Sequence, residues 1–328
     1  MRAIVLGQQD GQTVASVSTI EPSQLPDGDV TVDVDWSGIN YKDALAITGK
    51  GKIIRQFPMV PGIDFAGTVR HSAHADFQVG QSVILTGWGV GENHWGGLAE
   101  QARVQADWLV PLPQGLTPRQ AMIIGTAGFT AMLCVMALEE GGVTPASGDV
   151  IVSGASGGVG STAIALLHAL GYQVTAISGR ADNNAYLQQL GAHQVLDRAE
   201  FAAAGRPLEK QRWAGAIDTA GDQVLATLLA QMQYGATVAA CGLAAGVSLP
   251  TTVIPFILRN VRLQGVDSVM TPRARRQEAW RRLATLLPAS FYEQVAQEIS
   301  LEQVPATAAA LLENRVTGRT LVRIGSAN

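Results

Sequence analysis

Charge is scarce in this chain. Of its 328 residues, 15% are Asp, Glu, Lys or Arg, against a usual share of about a quarter. The net charge is −4 and no block of five like charges occurs, which argues against a nucleic-acid-binding surface. Cysteine is scarcer: Cys134 and Cys241 stand far apart in the sequence, in apolar surroundings, and read as core thiols of a reducing compartment. The five histidines, His71, His74, His94, His168 and His193, show no metal-ligand spacing. His71 and His74 read as loop residues, His168 as a helix-face residue, and His94 belongs to a tryptophan-rich loop. No apolar run is read as approaching the roughly 18 residues that span a bilayer. The start, Met1 to Leu6, lacks the long apolar region and cleavage site of a signal peptide. The expectation is a soluble, cytoplasmic protein with no membrane partner.

Glycine, by contrast, is plentiful, with 36 residues. The most informative use of it is Ile151-Val152-Ser153-Gly154-Ala155-Ser156-Gly157-Gly158-Val159-Gly160. An apolar strand enters a tight turn, and a helical pattern follows from Ser161 to Leu170. A pyrophosphate needs such a turn, close backbone approach, and helix N–H groups pointing at it. Gly157 and Gly160 stand at the second and third glycine positions of the dinucleotide fingerprint, and Ala155 replaces the first. A second strand, Gln173 to Ile177, completes the unit, so the reading is dinucleotide binding. The competing reading is a strand-to-helix turn that binds nothing.

That second strand ends in Ser178-Gly179-Arg180. An enzyme preferring NAD usually carries Asp or Glu there, accepting from the ribose 2′-hydroxyl. A carboxylate would repel a 2′-phosphate, whereas Ser178 and Arg180 can donate to it. NADP(H) is therefore expected. The alternative for Arg180 is a solvated loop residue.

The first 120 or so residues read as short strands and turns; Val30 to Trp36 alternates with period two, as a half-buried strand does. Turn signals recur at Pro26-Asp27-Gly28, Pro61-Gly62 and Gly96-Gly97. From Gln120 to Leu138 the spacing is helical. Strands at 149–153, 173–178, 194–197, 214–218, 236–241 and 261–266 then alternate with helices at 159–170, 182–190 and 222–232. Such alternation predicts a parallel sheet covered on both faces. The segment 272–328 is expected to hold two helices and a closing strand, Thr320 to Ile324.

Longer stretches are more specific than the glycine turn. Pro61 to Val69, Gly97-Leu98-Ala99-Glu100, Gly125 to Ala131 and Leu187 to Ala192 resemble the medium-chain dehydrogenase/reductase superfamily. Within it the chain resembles the zinc-independent, quinone oxidoreductase-like group. Asn40-Tyr41-Lys42-Asp43, Leu85 to Gly97 and Leu258 to Val269 are most similar to the acrylyl-CoA reductase family. The resemblance extends from residue 1 to 326. It implies an α/β architecture: a GroES-like β-rich catalytic domain at 1–122, a Rossmann doubly wound parallel-sheet domain at 123–268, and a return segment at 269–328 packing on the first domain. Zinc alcohol dehydrogenases place Cys, His and Glu where this chain has Asn40, Ile63 and Asp64, and the four-cysteine structural lobe is missing. Ile63 cannot ligate, so no zinc site is expected there.

The resemblance further implies reduction of acrylyl-CoA to propanoyl-CoA, with hydride arriving at the β-carbon of the thioester. Charge then develops on the thioester oxygen, which needs preorganised donors, and a proton must reach the α-carbon. Asn40, Tyr41 and Asp43 stand where the family's cleft opens, as candidate catalytic residues. The Asn40 amide is expected to donate to substrate or cofactor; the alternative is a helix cap. Tyr41 is a candidate proton source or nicotinamide contact. The position at which some related reductases carry a proton-donating tyrosine reads Gly49-Lys50-Gly51-Lys52-Ile53, which leaves water as another donor. The cofactor set implied by the family is Tyr41 and Thr130 toward the nicotinamide half, Ser156, Gly157, Gly158 and Val159 at the pyrophosphate, Ser178, Gly179 and Arg180 at the 2′-phosphate, and Arg198 near the adenine. Leu243, Ile257, Ser268 and Arg319 complete it. For Arg198 and Arg319 a surface ion pair is the alternative. Lys42, Lys50, Lys52 and Arg55 form a basic cluster suited to the phosphates of CoA. Arg273, Arg275, Arg276, Arg281 and Arg282 are a second candidate cluster, or a solvated helix face. A homodimer is expected by analogy.

Two rival readings stand beside this one. A quinone reductase would keep the cofactor but need no basic cluster. A non-catalytic NADPH-binding protein, lens-crystallin-like or RNA-binding, would keep only the turn, and the acidic balance argues against RNA.

Overall fold

The alternation at Val30 becomes a ten-residue strand in which Val30, Val32 and Val34 are buried. In the computed structural model, which describes residues 1–325, the chain forms two units. The first holds residues 1–126, 268–284 and 292 onward; the second holds 127–267 and 285–291.

The first unit begins with a hairpin, β1 (Arg2–Gln9) and β2 (Gln12–Thr19). Then follow β3 (Val30–Ile39), α1 (Tyr41–Thr48), β4 (Asp64–Ser72), β5 (Ser82–Thr86), β6 (Gln101–Val104), β7 (Leu109–Pro111) and the start of α2 (Pro118–Glu140). The second unit continues with β8 (Val150–Val152), α3 (Gly158–Ala169), β9 (Val174–Ser178), α4 (Asn184–Gln189), β10 (Gln194–Asp197), β11 (Trp213–Asp218), α5 (Asp222–Gln231), β12 (Met232–Ala240), α6 (Ile254–Arg259) and β13 (Arg262–Gly265). The last part of the chain gives α7 (Arg273–Leu286), α8 (Ala289–Gln294), β14 (Ala296–Ile299), α9 (Val304–Leu312) and β15 (Arg319–Arg323).

Among the described residues the second unit carries a six-stranded sheet in the order β10-β9-β8-β11-β12-β13. Every pairing is parallel. This is the doubly wound dinucleotide order, with its switch point between the first and fourth strands, here β8 and β11. Val150, Ile151 and Val152 are wholly buried, as a strand covered on both faces must be. The first unit's larger sheet runs β14-β15-β3-β4-β5-β7, with β6 also paired to β3. Its apolar core includes Ile4, Leu6, Val32, Phe65 and Leu85 from the strands and Val304 and Ala308 from α9. The closing strand β15 pairs antiparallel with β3, Thr320 opposite Ile39, so the end of the chain completes the sheet of its beginning.

Three expectations need correction. The segment from Ala121 to Leu138 carries no charged side chain, and α2 is long and apolar enough, by length and composition, to cross a membrane. Its apolar 18-residue stretch is buried inside the protein, as that of a core helix is. Nor is α2 continuous: Gly125, at φ 52° and ψ −160°, breaks it into two helices, a conformation that side chains with a Cβ avoid. Finally, three helices and a short strand, β14, precede β15, rather than two helices. The sequence of β14, Ala-Gln-Glu-Ile, lacks a clear period-two pattern because it is an edge strand.

Candidate active site

The helix α1 starts at Tyr41 because Asn40 and Asp43 form a capping box around its first turn. Asp43 also places negative charge at the helix N-terminus, where it is favoured. Both residues are buried, and they belong to a larger cluster. Asn40 Nδ2 donates to Asp64 Oδ2 at 2.9 Å and to Asp43 Oδ2 at 3.2 Å. Its Oδ1 accepts from Arg319 Nη1 at 2.9 Å. The amide expected to face substrate is therefore engaged on both sides within the protein, as the capping alternative would have it.

Arg319 is 3% exposed. Its Nε donates to Ile123 O at 3.1 Å and its Nη2 to Met122 O at 3.3 Å. Nη2 also lies 3.8 Å from Asp64 Oδ2. Asp64, fully buried, accepts from Gly38 N at 3.1 Å and Thr126 N at 2.7 Å. Met122 and Ile123 end the first half of α2; Thr126 begins the second. A cation thus meets a helix C-terminus and a carboxylate meets a helix N-terminus, each the sign that the local dipole favours. Gly125 sits between them, where a Cβ would lie 2.3 Å from Arg319 Nη2.

Asp43 Oδ1 accepts from Gly62 N at 3.1 Å and Ile63 N at 3.0 Å. Burial, and then the Asp64 charge, push its carboxyl up to about 7, against the N–H donors of Asn40 and Ile63, which pull it down. Burial lowers the Arg319 pKa, opposed by the two carboxylates.

Beside this buried cluster Tyr41 points outward, 44% exposed. Lys42 Nζ pairs with Glu92 Oε1 at 2.8 Å, while Lys50, Lys52 and Arg55 are exposed. His94 Nε2 donates to Arg103 O at 2.7 Å and meets the Trp108 ring edge-on; burial keeps its pKa low. The second basic cluster divides. Arg273 pairs with Asp76 at 3.4 Å. Arg276 is buried and donates to Thr86 Oγ1 at 2.6 Å, Thr86 O at 2.8 Å and the carbonyls of Ser268 and Val269 at 3.3 and 3.2 Å. It therefore braces the loop after β5 rather than facing a ligand.

In the second unit the glycine turn has the shape its sequence implies. A Cβ at Gly160 would meet Gly154 O at 2.5 Å and Ala155 Cα at 2.6 Å, so only glycine lets the helix pack this close. Gly154 and Gly157 are exposed, and Ser156, Gly158 and Val159 partly so, which leaves the start of α3 open to a phosphate. Asp218 anchors the turn from below. Ser153 Oγ donates to its Oδ1 at 2.6 Å and Gly221 N to its Oδ2 at 2.8 Å; Thr219 N donates back to Ser153 Oγ at 2.9 Å. Burial raises the Asp218 pKa against these donors.

At the end of β9, Ser178 Oγ accepts from Arg180 N at 3.3 Å and donates to Arg180 O at 3.1 Å. The Arg198 guanidinium lies against Gly179, its Cζ 3.1 Å from where a Cβ would be. The structure thus brings Gly179, Arg180 and Arg198 together. Thr130 is buried in α2, Leu243 and Ile257 are 53% and 71% exposed, and Ser268 contributes its carbonyl to Arg276. The two cysteines also meet: a hydrogen bond with Cys241, and then burial, push the Cys134 thiol up.

Asp64 and Asp218 were not legible as site residues. Asp64 carried a weak signal, an acidic residue directly after Pro-Gly-Ile; Asp218 meets Ser153 across 65 positions of sequence.

Two family models match: the alcohol dehydrogenase GroES-like domain over residues 26–114 and the zinc-binding dehydrogenase over residues 158–286. The chain is 70% identical over 324 residues to the probable acrylyl-CoA reductase AcuI of Escherichia coli (strain K12), covering 99% of this chain and 100% of that one. It is 51% identical over 320 residues to acrylyl-CoA reductase AcuI of Ruegeria pomeroyi, covering 97% of each. The crystal structure of the yhdH oxidoreductase from Salmonella enterica in complex with NADP superposes with a TM-score of 0.98, at 70% identity, over 99% of this chain and 100% of that one.

A zinc ion, which the second model's description implies, does not fit here. Among the described residues no group of three or more His, Cys, Asp or Glu side chains converges as a metal site. At the place in question the Arg319 guanidinium already faces the Asp64 carboxylate.

Proposed function

Since the chain belongs to the acrylyl-CoA reductase family of the medium-chain dehydrogenase/reductase superfamily, in its zinc-independent group, we propose that it reduces acrylyl-CoA to propanoyl-CoA with NADPH. The observation that carries this reading is the end-to-end match to two acrylyl-CoA reductases, one of them at 70% identity. The open glycine turn and the arginine pair at Gly179 fit a phosphorylated dinucleotide. NADPH, when bound, supplies the hydride that adds to the β-carbon.

The chain's own residues do the rest. Ser156 to Val159 and the first turn of α3 hold the pyrophosphate by backbone N–H groups. Ser178, Gly179, Arg180 and Arg198 hold the 2′-phosphate end. Tyr41, Thr130, Ile257 and Ser268 are assigned to the nicotinamide half by family correspondence, with Leu243 at the carboxyl edge of the sheet; Arg319, its donors held by Asn40, Met122 and Ile123, acts from behind the start of α1. Tyr41 is the outward group of the first turn of α1, and its hydroxyl is the candidate donor to the thioester oxygen or the α-carbon. Asn40 and Asp43 act as positioning residues, because their side chains fasten the helix that presents Tyr41. Lys50, Lys52 and Arg55 are assigned to the phosphates of CoA, with Lys42 balanced by Glu92. A homodimer belongs to the same reading, supported by the open edge of β13 and by exposed Val253, Ile257 and Leu258.

The test is NADPH consumption with acrylyl-CoA, run beside crotonyl-CoA, a quinone and NADH. Rapid loss of NADPH with acrylyl-CoA is expected. Turnover with the quinone alone would overturn the thioester mechanism.

A further inference from the structure

Asn183 lies in the turn just before α4 and is 7% exposed. With its amide oxygen turned toward them, it accepts from Arg180 Nε and Nη2 at 3.1 Å each and from Ser156 Oγ at 3.2 Å. One side chain therefore joins the arginine at the end of β9 to the serine of the glycine turn. We propose that Asn183 is a specificity-determining positioning residue, which fixes the Arg180 guanidinium for the ribose 2′-phosphate. This rests on the NADPH reading above.

The choice of an amide has a physical reason. An exposed arginine samples many rotamers, and ordering it on ligand binding opposes affinity. A buried acceptor on its Nε edge orders it beforehand. A carboxylate at position 183 would also hold the guanidinium, but would cancel its charge and repel the incoming phosphate. An amide oxygen holds the arginine while adding no negative charge. The surroundings act in the same direction. Ser178 fastens the Arg180 backbone from both its N–H and its carbonyl, and Arg198 lies on Gly179. The Arg198 guanidinium thus lies on Gly179, and Asn183 sets the position of the guanidinium of the next residue, Arg180.

The test is calorimetric binding of NADPH, NADH, 2′,5′-ADP and 5′-AMP to the wild type and to Asn183→Ala and Asn183→Asp. Asn183→Ala should weaken NADPH and 2′,5′-ADP roughly tenfold, about 1.4 kcal/mol, and leave NADH and 5′-AMP unchanged. Asn183→Asp, nearly isosteric, should weaken the 2′-phosphorylated pair further. A merely structural role would weaken all four ligands alike, and that result overturns the proposal, as does no change in any. A wild type that binds NADPH and NADH equally would instead overturn the cofactor reading, before any variant is compared.

Discussion

Arg319 donates from Nη1 to Asn40 Oδ1 at 2.9 Å, across 279 positions of sequence. The contact ties β15, near the end of the chain, to the residue that opens α1. The same guanidinium caps the last carbonyls of the first half of α2 and faces Asp64. Removing one partner of a buried ion pair leaves the other uncompensated, at a cost of about 3–5 kcal/mol.

Arg319→Met should therefore lower the unfolding free energy by about that much, measured by urea denaturation. Arg319→Lys should recover little, because an ammonium cannot reproduce the planar fork that reaches Asn40, Ile123 and Met122 together. Adding Asp64→Asn to Arg319→Met should be less damaging than the sum of the two single changes, since the pair is coupled. Additive losses would show that the two side chains act independently.

Asp43 predicts a pH effect of definite sign. Its carboxyl is raised to about 7 in the folded protein by burial and by Asp64, while an unfolded Asp titrates near 3.9. Between those values the folded state binds more protons than the unfolded one, so stability from this group is greatest in acid and declines as pH rises toward 7. Asp43→Asn should be less stable throughout, since an amide cannot accept from Gly62, Ile63 and Asn40 together. The difference from wild type should shrink as pH rises from about 4 to about 7, followed by thermal melting across that range. A constant difference would mean that Asp43 stays ionised throughout.

Gly125→Ala tests the break in α2. The backbone there is at φ 52°, and the added Cβ would sit 2.3 Å from Arg319 Nη2 and 2.9 Å from Asp64 Oδ2. Strain and collision together should destabilise the protein by roughly 2–4 kcal/mol. A neutral result in chemical denaturation would mean that the two half-helices can re-form around a side chain.

Much of the fold was legible because it is written in local patterns. The strand, turn and helix from Ile151 to Leu170, and the alternation that follows, specify a parallel sheet covered on both faces; its doubly wound order was implied by the family resemblance. The buried cluster was not legible. Asn40, Asp64, Gly125 and Arg319 come from four distant segments, and nothing in any one of them says that the others are partners. Asn40 illustrates the limit: its position before a helix fits both a cap and a ligand donor. Only the carboxylates and guanidinium around it decide between these. The opposite error occurred at α2, where a helical period concealed a glycine that interrupts the helix.

The basic loop after α1 makes a prediction about substrate. Lys50, Lys52 and Arg55 are exposed, and none lies in an ion pair among the described residues. Replacing all three by Ser should raise KM for acrylyl-CoA several-fold and flatten its dependence on salt, since the attraction to CoA phosphates is screened. A small conjugated enone without CoA should be unaffected. Equal changes for both substrates would remove these residues from CoA binding.

Ser178 offers the complementary test at the cofactor end. Its hydroxyl now fastens the Arg180 backbone and lies 7% exposed at the tip of β9. Ser178→Asp would place a carboxylate beside two guanidiniums, competing with the 2′-phosphate for them and repelling it directly. The ratio of kcat/KM for NADPH over NADH should fall at least tenfold, about 1.4 kcal/mol of discrimination. The fall should come mainly from NADPH, because NADH brings only hydroxyls to that end and a carboxylate can accept from them. An unchanged ratio would move the 2′-phosphate away from this turn, and with it the roles given to Arg180, Arg198 and Asn183.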